Sequence, residues 1–216
     1  GRAADAVAPL EAALSGKLAG DEVVRAKAEL SIALARTGKI DRAKSVYAEL
    51  GTEPPRSELL VAALQQLAES AYEAGDLAWA GELFDRLAQS GTEAQQCKGL
   101  SGVAWCQYKA GRMKEAAEGF AKLLARKPEP TMAAEAALAR GRALEQLGQG
   151  ADDLAAYDVV IREYPQTESY AAALNAAAAL NSRNRQFDKA AGLLARLAGM
   201  TPPPTDLDAA IGRAHG

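Results

Sequence analysis

Gly38, Gly75, Gly111 and Gly148 fall 37, 36 and 37 residues apart, and one more step of 37 lands on Arg185. The residues around these points recur as well. Five positions on stand Ala43, Ala80, Ala116, Asp153 and Ala190; nine on stand Tyr47, Phe84, Phe120, Tyr157 and Leu194. Seventeen on stand Pro55, Thr92, Pro128, Pro165 and Pro202. A chain that repeats one unit of this length buries each unit against its neighbours instead of around one centre. The period therefore predicts a stacked solenoid, an architecture that offers an extended binding surface.

Each unit divides into two helices about its turn residue. In the second, a first helix is predicted from Ser57 to Ala74 and a second from Leu77 to Gln89. Gly75 supplies the left-handed conformation that ends a helix, and Asp76 is placed to cap the next one. Seven residues before each turn stand Ser31, Ala68, Ala104, Gly141 and Ala178, all small enough for close helix approach. Ile40, Leu77, Met113, Gly150 and Phe187 follow the turns by two, and Leu50, Leu87, Leu123, Val160 and Leu197 by twelve. Their helical spacing with the aromatic row predicts one buried face. Gly99 and Gly102 read as a further point of close contact. Only 5% of residues are aromatic while alanine fills whole segments, which favours helices over sheet.

Small residue, glycine turn, alanine, aromatic and proline at these offsets resemble the tetratricopeptide repeat (TPR). Ala71–Phe84 (AYEAGDLAWAGELF) and Gln107–Phe120 (QYKAGRMKEAAEGF) are the clearest copies. The match runs from about Gly20 to Pro203, with Thr92, Asp153 and Arg185 departing from it and a period longer than the usual ~34 residues. The resemblance implies an all-α fold, a right-handed α-α superhelix of helix–turn–helix repeats. The expected division is an N-terminal helix at 1–19, TPR-like repeats at 20–56, 57–92, 93–129, 130–166 and 167–203, and a tail or helix start at 204–216. The chain opens on Gly1, not Met, which reads as a piece of a longer protein. Ala3–Gly16 has the offsets of a second helix and Asp206–Ala214 those of a first, so both ends are expected to be caps or truncated repeats.

Little in the chain points to catalysis. The single histidine is His215, at the terminus, where no base is held in place. Cys97 and Cys106 lie nine residues apart in one predicted helix, ~13 Å along its axis, too far to bond to each other. With His215 they form no metal-ligand spacing, so no metal, cofactor or enzyme activity is expected. Gly148-Gln149-Gly150 lacks the rest of a phosphate-loop fingerprint and reads as a turn. Asp152, Asp153 and Glu163 read as solvated helix positions. A net charge of −3 with interspersed signs leaves no footprint for nucleic acid, and no apolar run reaches bilayer length.

Binding is the better-supported chemistry. By the resemblance, first helices line the concave groove, where equivalent positions form ladders ~8–10 Å apart. One ladder is Ile32, Glu69, Trp105, Arg142 and Ala179; the next is Ala35, Tyr72, Tyr108, Glu145 and Ser182. A third is Ala28, Gln65, Ser101, Leu138 and Asn175, and a fourth is Arg25, Ala62, Lys98, Glu135 and Ala172. Tyr72, Trp105 and Tyr108 are expected at the aromatic centre, flanked by Glu69, Lys98 and Arg142, with Gln65 and Asn175 beside them. The alternative is that the three rings pack between helices. Trp79 is expected to point outward, as a second contact or as a cap over the neighbouring unit. The implied partner is a protein or peptide; oligomeric state is left open. Tyr157–Leu180 (YDVVIREYPQTESYAAALNAAAAL) resembles bacterial envelope and periplasmic TPR proteins, which implies an envelope adaptor. An accessory array of a larger enzyme or signalling protein, its catalytic domain outside these residues, is the other functional reading, and the cytoplasm is the other location.

Overall fold

The computed structural model describes residues 2–51, 57–148 and 150–200. Pro55, Gln149, Pro202, the expected helix at Asp206–Ala214 and His215 lie outside the described residues. Every described element is helical, and the chain divides into two compact halves, residues 1–112 and 113–216. The N-terminal half holds α1 (Arg2–Leu14), α2 (Asp21–Arg36), α3 (Ile40–Ala48), α4 (Glu58–Glu73), α5 (Leu77–Ala88) and α6 (Glu93–Lys109). The C-terminal half holds α7 (Met113–Ala125), α8 (Pro130–Gln146), α9 (Gly150–Glu163), α10 (Ser169–Arg183) and α11 (Phe187–Ala198).

The recurring turn has a specific cause. Gly38, Gly75, Gly111 and Gly148 all take positive φ, between 70° and 87°. Gly75 N–H donates to Tyr72 O at 3.1 Å and Asp76 N–H to Ala71 O at 3.0 Å, the paired bonds that close a Schellman helix end. The same longer bond joins Lys39 to Leu34, Arg112 to Gln107 and Gln186 to Asn181. Arg185 takes the left-handed conformation too, at φ 58°, so the fifth turn keeps its geometry without a glycine.

The next helix is then started by side chains. Asp76 accepts from Trp79 N–H at 3.1 Å and pairs with the Lys44 ammonium. That bond to Lys44 holds its carboxyl below the usual carboxylate range. Thr92, where other repeats have proline, closes a reciprocal capping box with Gln95 at the start of α6. Glu129 caps α8 ahead of Pro130, which has no N–H to leave unbonded.

In the N-terminal half, first helices pack side by side (α2 on α4, α4 on α6), with α3 against α2 and α5 against both α4 and α6. In the C-terminal half, α8 packs on α10 in the same way. The five small residues before the turns are all buried, as are Phe84, Phe120, Tyr157 and Leu194 of the aromatic row. Gly99 and Gly102 bring α6 close against α5 in the N-terminal half. A Cβ on Gly99 would stand 2.3 Å from Ala88 N, and one on Gly102 2.3 Å from the Phe84 ring. In the C-terminal half a Cβ on Gly141 would stand 2.4 Å from the Tyr157 ring.

Three expectations fail. Trp79 does not point outward: it is buried, edge-on to Tyr47 with ring centroids 6.4 Å apart, because α3 of the preceding repeat covers that side of α5. Asp153 is not solvated. It is 1% exposed, because it occupies the alanine row that faces the neighbouring helix. Phe187 is 61% exposed, whereas its counterparts Ile40, Leu77 and Met113 are half-buried. No described element lies over that side of α11 to cover it.

Candidate functional site

Six of the eight expected binding residues belong to two neighbouring helices of the N-terminal half. Gln65, Glu69 and Tyr72 lie at positions i, i+4 and i+7 of α4 and so share one face. Lys98, Trp105 and Tyr108 share a face of α6, which packs on α4. Arg142 on α8 and Asn175 on α10 belong to the C-terminal half.

The three rings are half-buried, neither enclosed as core nor fully exposed. Trp105 and Tyr108 meet edge to face, with centroids 5.6 Å apart and planes at 72°. Tyr72 carries the Lys109 ammonium over its ring, 4.5 Å from the centroid. Burial, and then the neighbouring Cys106, raise the Tyr72 phenol above its ordinary value of 10.0, so it stays neutral at physiological pH. Gln65 Nε2 donates to Glu69 Oε1 at 2.9 Å and steadies an otherwise exposed carboxylate. Lys98 and Arg142 are exposed and Asn175 is half-buried. The α4–α6 face of the N-terminal half thus combines flat apolar area with charges of both signs.

Four other ladder positions do not line a groove. Ala28, Ile32, Ala35 and Leu138 are buried. The ladder pattern places residues on one side of the first helices, but does not set which of them reach the surface.

A polar cluster that the periodicity did not reveal lies in the C-terminal half. Tyr157 is fully buried, and its hydroxyl donates to Glu145 Oε2 at 2.8 Å. Arg183, from α10, pairs with the other oxygen of the same carboxylate. Asp153 Oδ1 accepts from Leu154 N–H at 2.6 Å. Burial raises the Asp153 carboxyl above its ordinary value of 3.8; Glu145 adds to this, and the Leu154 N–H and Arg183 oppose it. Burial and the Glu145 carboxylate likewise raise the Tyr157 phenol. The signal available beforehand was the single acid in a row of alanines, Ala43, Ala80, Ala116 and Ala190.

Both cysteines are buried and free. Burial pushes the Cys106 thiol up to about 11, against Arg112 and Lys109, so it is a neutral packing group at physiological pH. Among the described residues, no group of three or more His, Cys, Asp or Glu side chains converges as metal ligands, and no helix is long and apolar enough to cross a membrane.

No curated protein matches the chain. A family model described as the tetratricopeptide repeat matches residues 102–129, from the middle of α6 through α7. Helix pairs closed by one recurring turn, small residues at the close approaches and this family match agree: residues 102–129 are a tetratricopeptide repeat, and the chain is an all-α array of such helical repeats among its described residues.

Proposed function

We propose that the α4–α6 face is a groove that binds an extended peptide or a segment of a protein partner, and that the chain is a non-catalytic scaffold or adaptor. Tetratricopeptide repeats are in general interaction modules without catalysis of their own, and protein partners follow from the family. The observation that carries the reading is the half-buried edge-to-face pair of Trp105 and Tyr108, on the helix packed next to that of Tyr72. Rigid rings of this kind present large contact area at small entropic cost, and such residues dominate binding hot spots. Gln65, Glu69 and Lys98 supply polar contacts around them. Arg142 and Asn175 hold the matching rows of first helices in the C-terminal half. The test is capture of a partner by the native chain and by the Tyr72/Trp105/Tyr108 triple-alanine variant. Equal capture by a correctly folded variant refutes the groove.

The resemblance of Tyr157–Leu180 to envelope TPR proteins supports an adaptor in the bacterial periplasm. A leader or lipid-attachment cysteine upstream in the full reading frame is the expected finding. A kinase, transferase or other catalytic domain in that frame would favour an accessory array instead.

A further inference from the structure

We infer that the α4–α6 face takes a segment carrying a basic and an acidic side chain about five residues apart, the basic one replacing Lys109 over Tyr72 and the acidic one meeting Lys98. The inference rests on the groove reading above and adds the chemistry of the occupant.

The ring of Tyr72 already holds a cation of this chain, the exposed Lys109 ammonium at 4.5 Å. The arrangement recurs at the same positions of the repeat. Lys109 and Arg183 stand two residues before their turn residues, and Tyr72 and Glu145 stand three before theirs. In the C-terminal half Arg183 reaches Glu145 as Lys109 reaches Tyr72, an ion pair in place of a cation–π contact. Two different partners thus draw a cation to the same row, so the row favours positive charge. On α4 the exposed carboxylates of Glu69 and Glu73 stand on either side of Tyr72 in sequence and reinforce that preference.

Lys109 is held weakly, because a cation–π contact at an exposed site gains little over hydration. An arginine from outside stacks better on a tyrosine face, being planar and less strongly hydrated than an ammonium. Lys98 sets the other end. It lies eleven residues before Lys109 on α6, a rise of ~16 Å with a rotation of only ~20° in an ideal helix. Trp105 falls on the same stripe between them. An extended strand rises ~3.3 Å per residue, so about five residues span the interval.

The test uses the full chain and a synthetic peptide with one Arg and one Asp five residues apart on a Gly/Ser background. A Gln/Asn version of the same peptide is the neutral control, and binding is followed by tryptophan fluorescence and calorimetry. The charged peptide is expected to bind about tenfold more tightly than the neutral one. Lys109→Met is expected to strengthen that binding about threefold by freeing the ring, and Tyr72→Leu to weaken it about tenfold, while Tyr72→Phe retains it. Lys98→Glu is expected to favour a peptide with Lys in place of Asp. If the two peptides bind equally, or Lys109→Met and Tyr72→Leu change nothing, the cation assignment is overturned; loss of binding in Trp105→Ala then still upholds the groove. If the Trp105 and Tyr72 variants also leave partner capture unchanged, the groove reading falls with it.

Discussion

Asp76 in the N-terminal half and Asp153 in the C-terminal half differ in how the fold treats one side chain. Asp76 follows its turn glycine by one residue, caps α5 and pairs with Lys44. Asp153 follows its turn glycine by five and is buried in a row that is alanine elsewhere. The first is an acid whose charged form is favoured, the second one whose charged form is penalised. Four residues along a helix separate a stabilising carboxylate from a costly one. The halves differ in the same sense elsewhere. α4–α6 are joined by glycine contacts and rings, whereas α8–α10 enclose a cluster of ionisable groups around Tyr157.

The largest test of this contrast is Gly99→Ala. The added methyl would press on the backbone of α5 at Ala88, which cannot rotate away, so a loss of about 3 kcal/mol is expected, measured by urea unfolding. Gly141→Ala meets a side-chain ring instead, and a smaller loss, about 1–2 kcal/mol, would show that the C-terminal half yields more easily. Trp105→Ala is expected to leave the melting temperature nearly unchanged and to weaken partner binding by about 2 kcal/mol. A large thermal loss would instead make that ring part of the core.

The two aspartates predict opposite pH behaviour. Asp153 has a raised carboxyl, so between its ordinary value of 3.8 and its folded value the native state binds more protons, and stability falls as pH rises through that window. Asp153→Ala should therefore stabilise at pH 7, a gain that shrinks on acidification from the folded value towards 3.8. Asp76 has a lowered carboxyl: its contribution is present above 3.8 and is lost as pH falls through its folded value. Asp76→Ala should cost about 1 kcal/mol at pH 7 and progressively less in acid. Chemical unfolding of the variants at several pH values checks both signs. The smallest expected effect is Arg185→Gly, a gain of somewhat under about 1 kcal/mol from relief of the left-handed conformation, read as a rise in melting temperature.

Much of the helical organisation was legible in the sequence because it is local. Gly75 and Asp76 act within four residues of themselves, through a left-handed turn and a side-chain cap. Gly99 and Gly102 could be read as a contact because a helix interior rarely holds glycine without a packing reason. The candidate site was legible in part. Spacing along α4 and α6 put Gln65, Glu69 and Tyr72 on one face and Lys98, Trp105 and Tyr108 on another. It carried no sign of Lys109 lying on Tyr72, because that contact joins two helices 37 residues apart in the chain.

By itself, the amino-acid order determined the period, the turn chemistry and which positions of each helix share a side, since these depend on 3.6-residue geometry and on nearby backbone groups. Tertiary structure decided how deeply each side chain lies. Trp79 is buried under α3, Asp153 is enclosed despite its charge, and Phe187 is exposed although its row is half-buried elsewhere. Burial depends on the size and register of whatever stands across the interface, and a repeat period does not encode that.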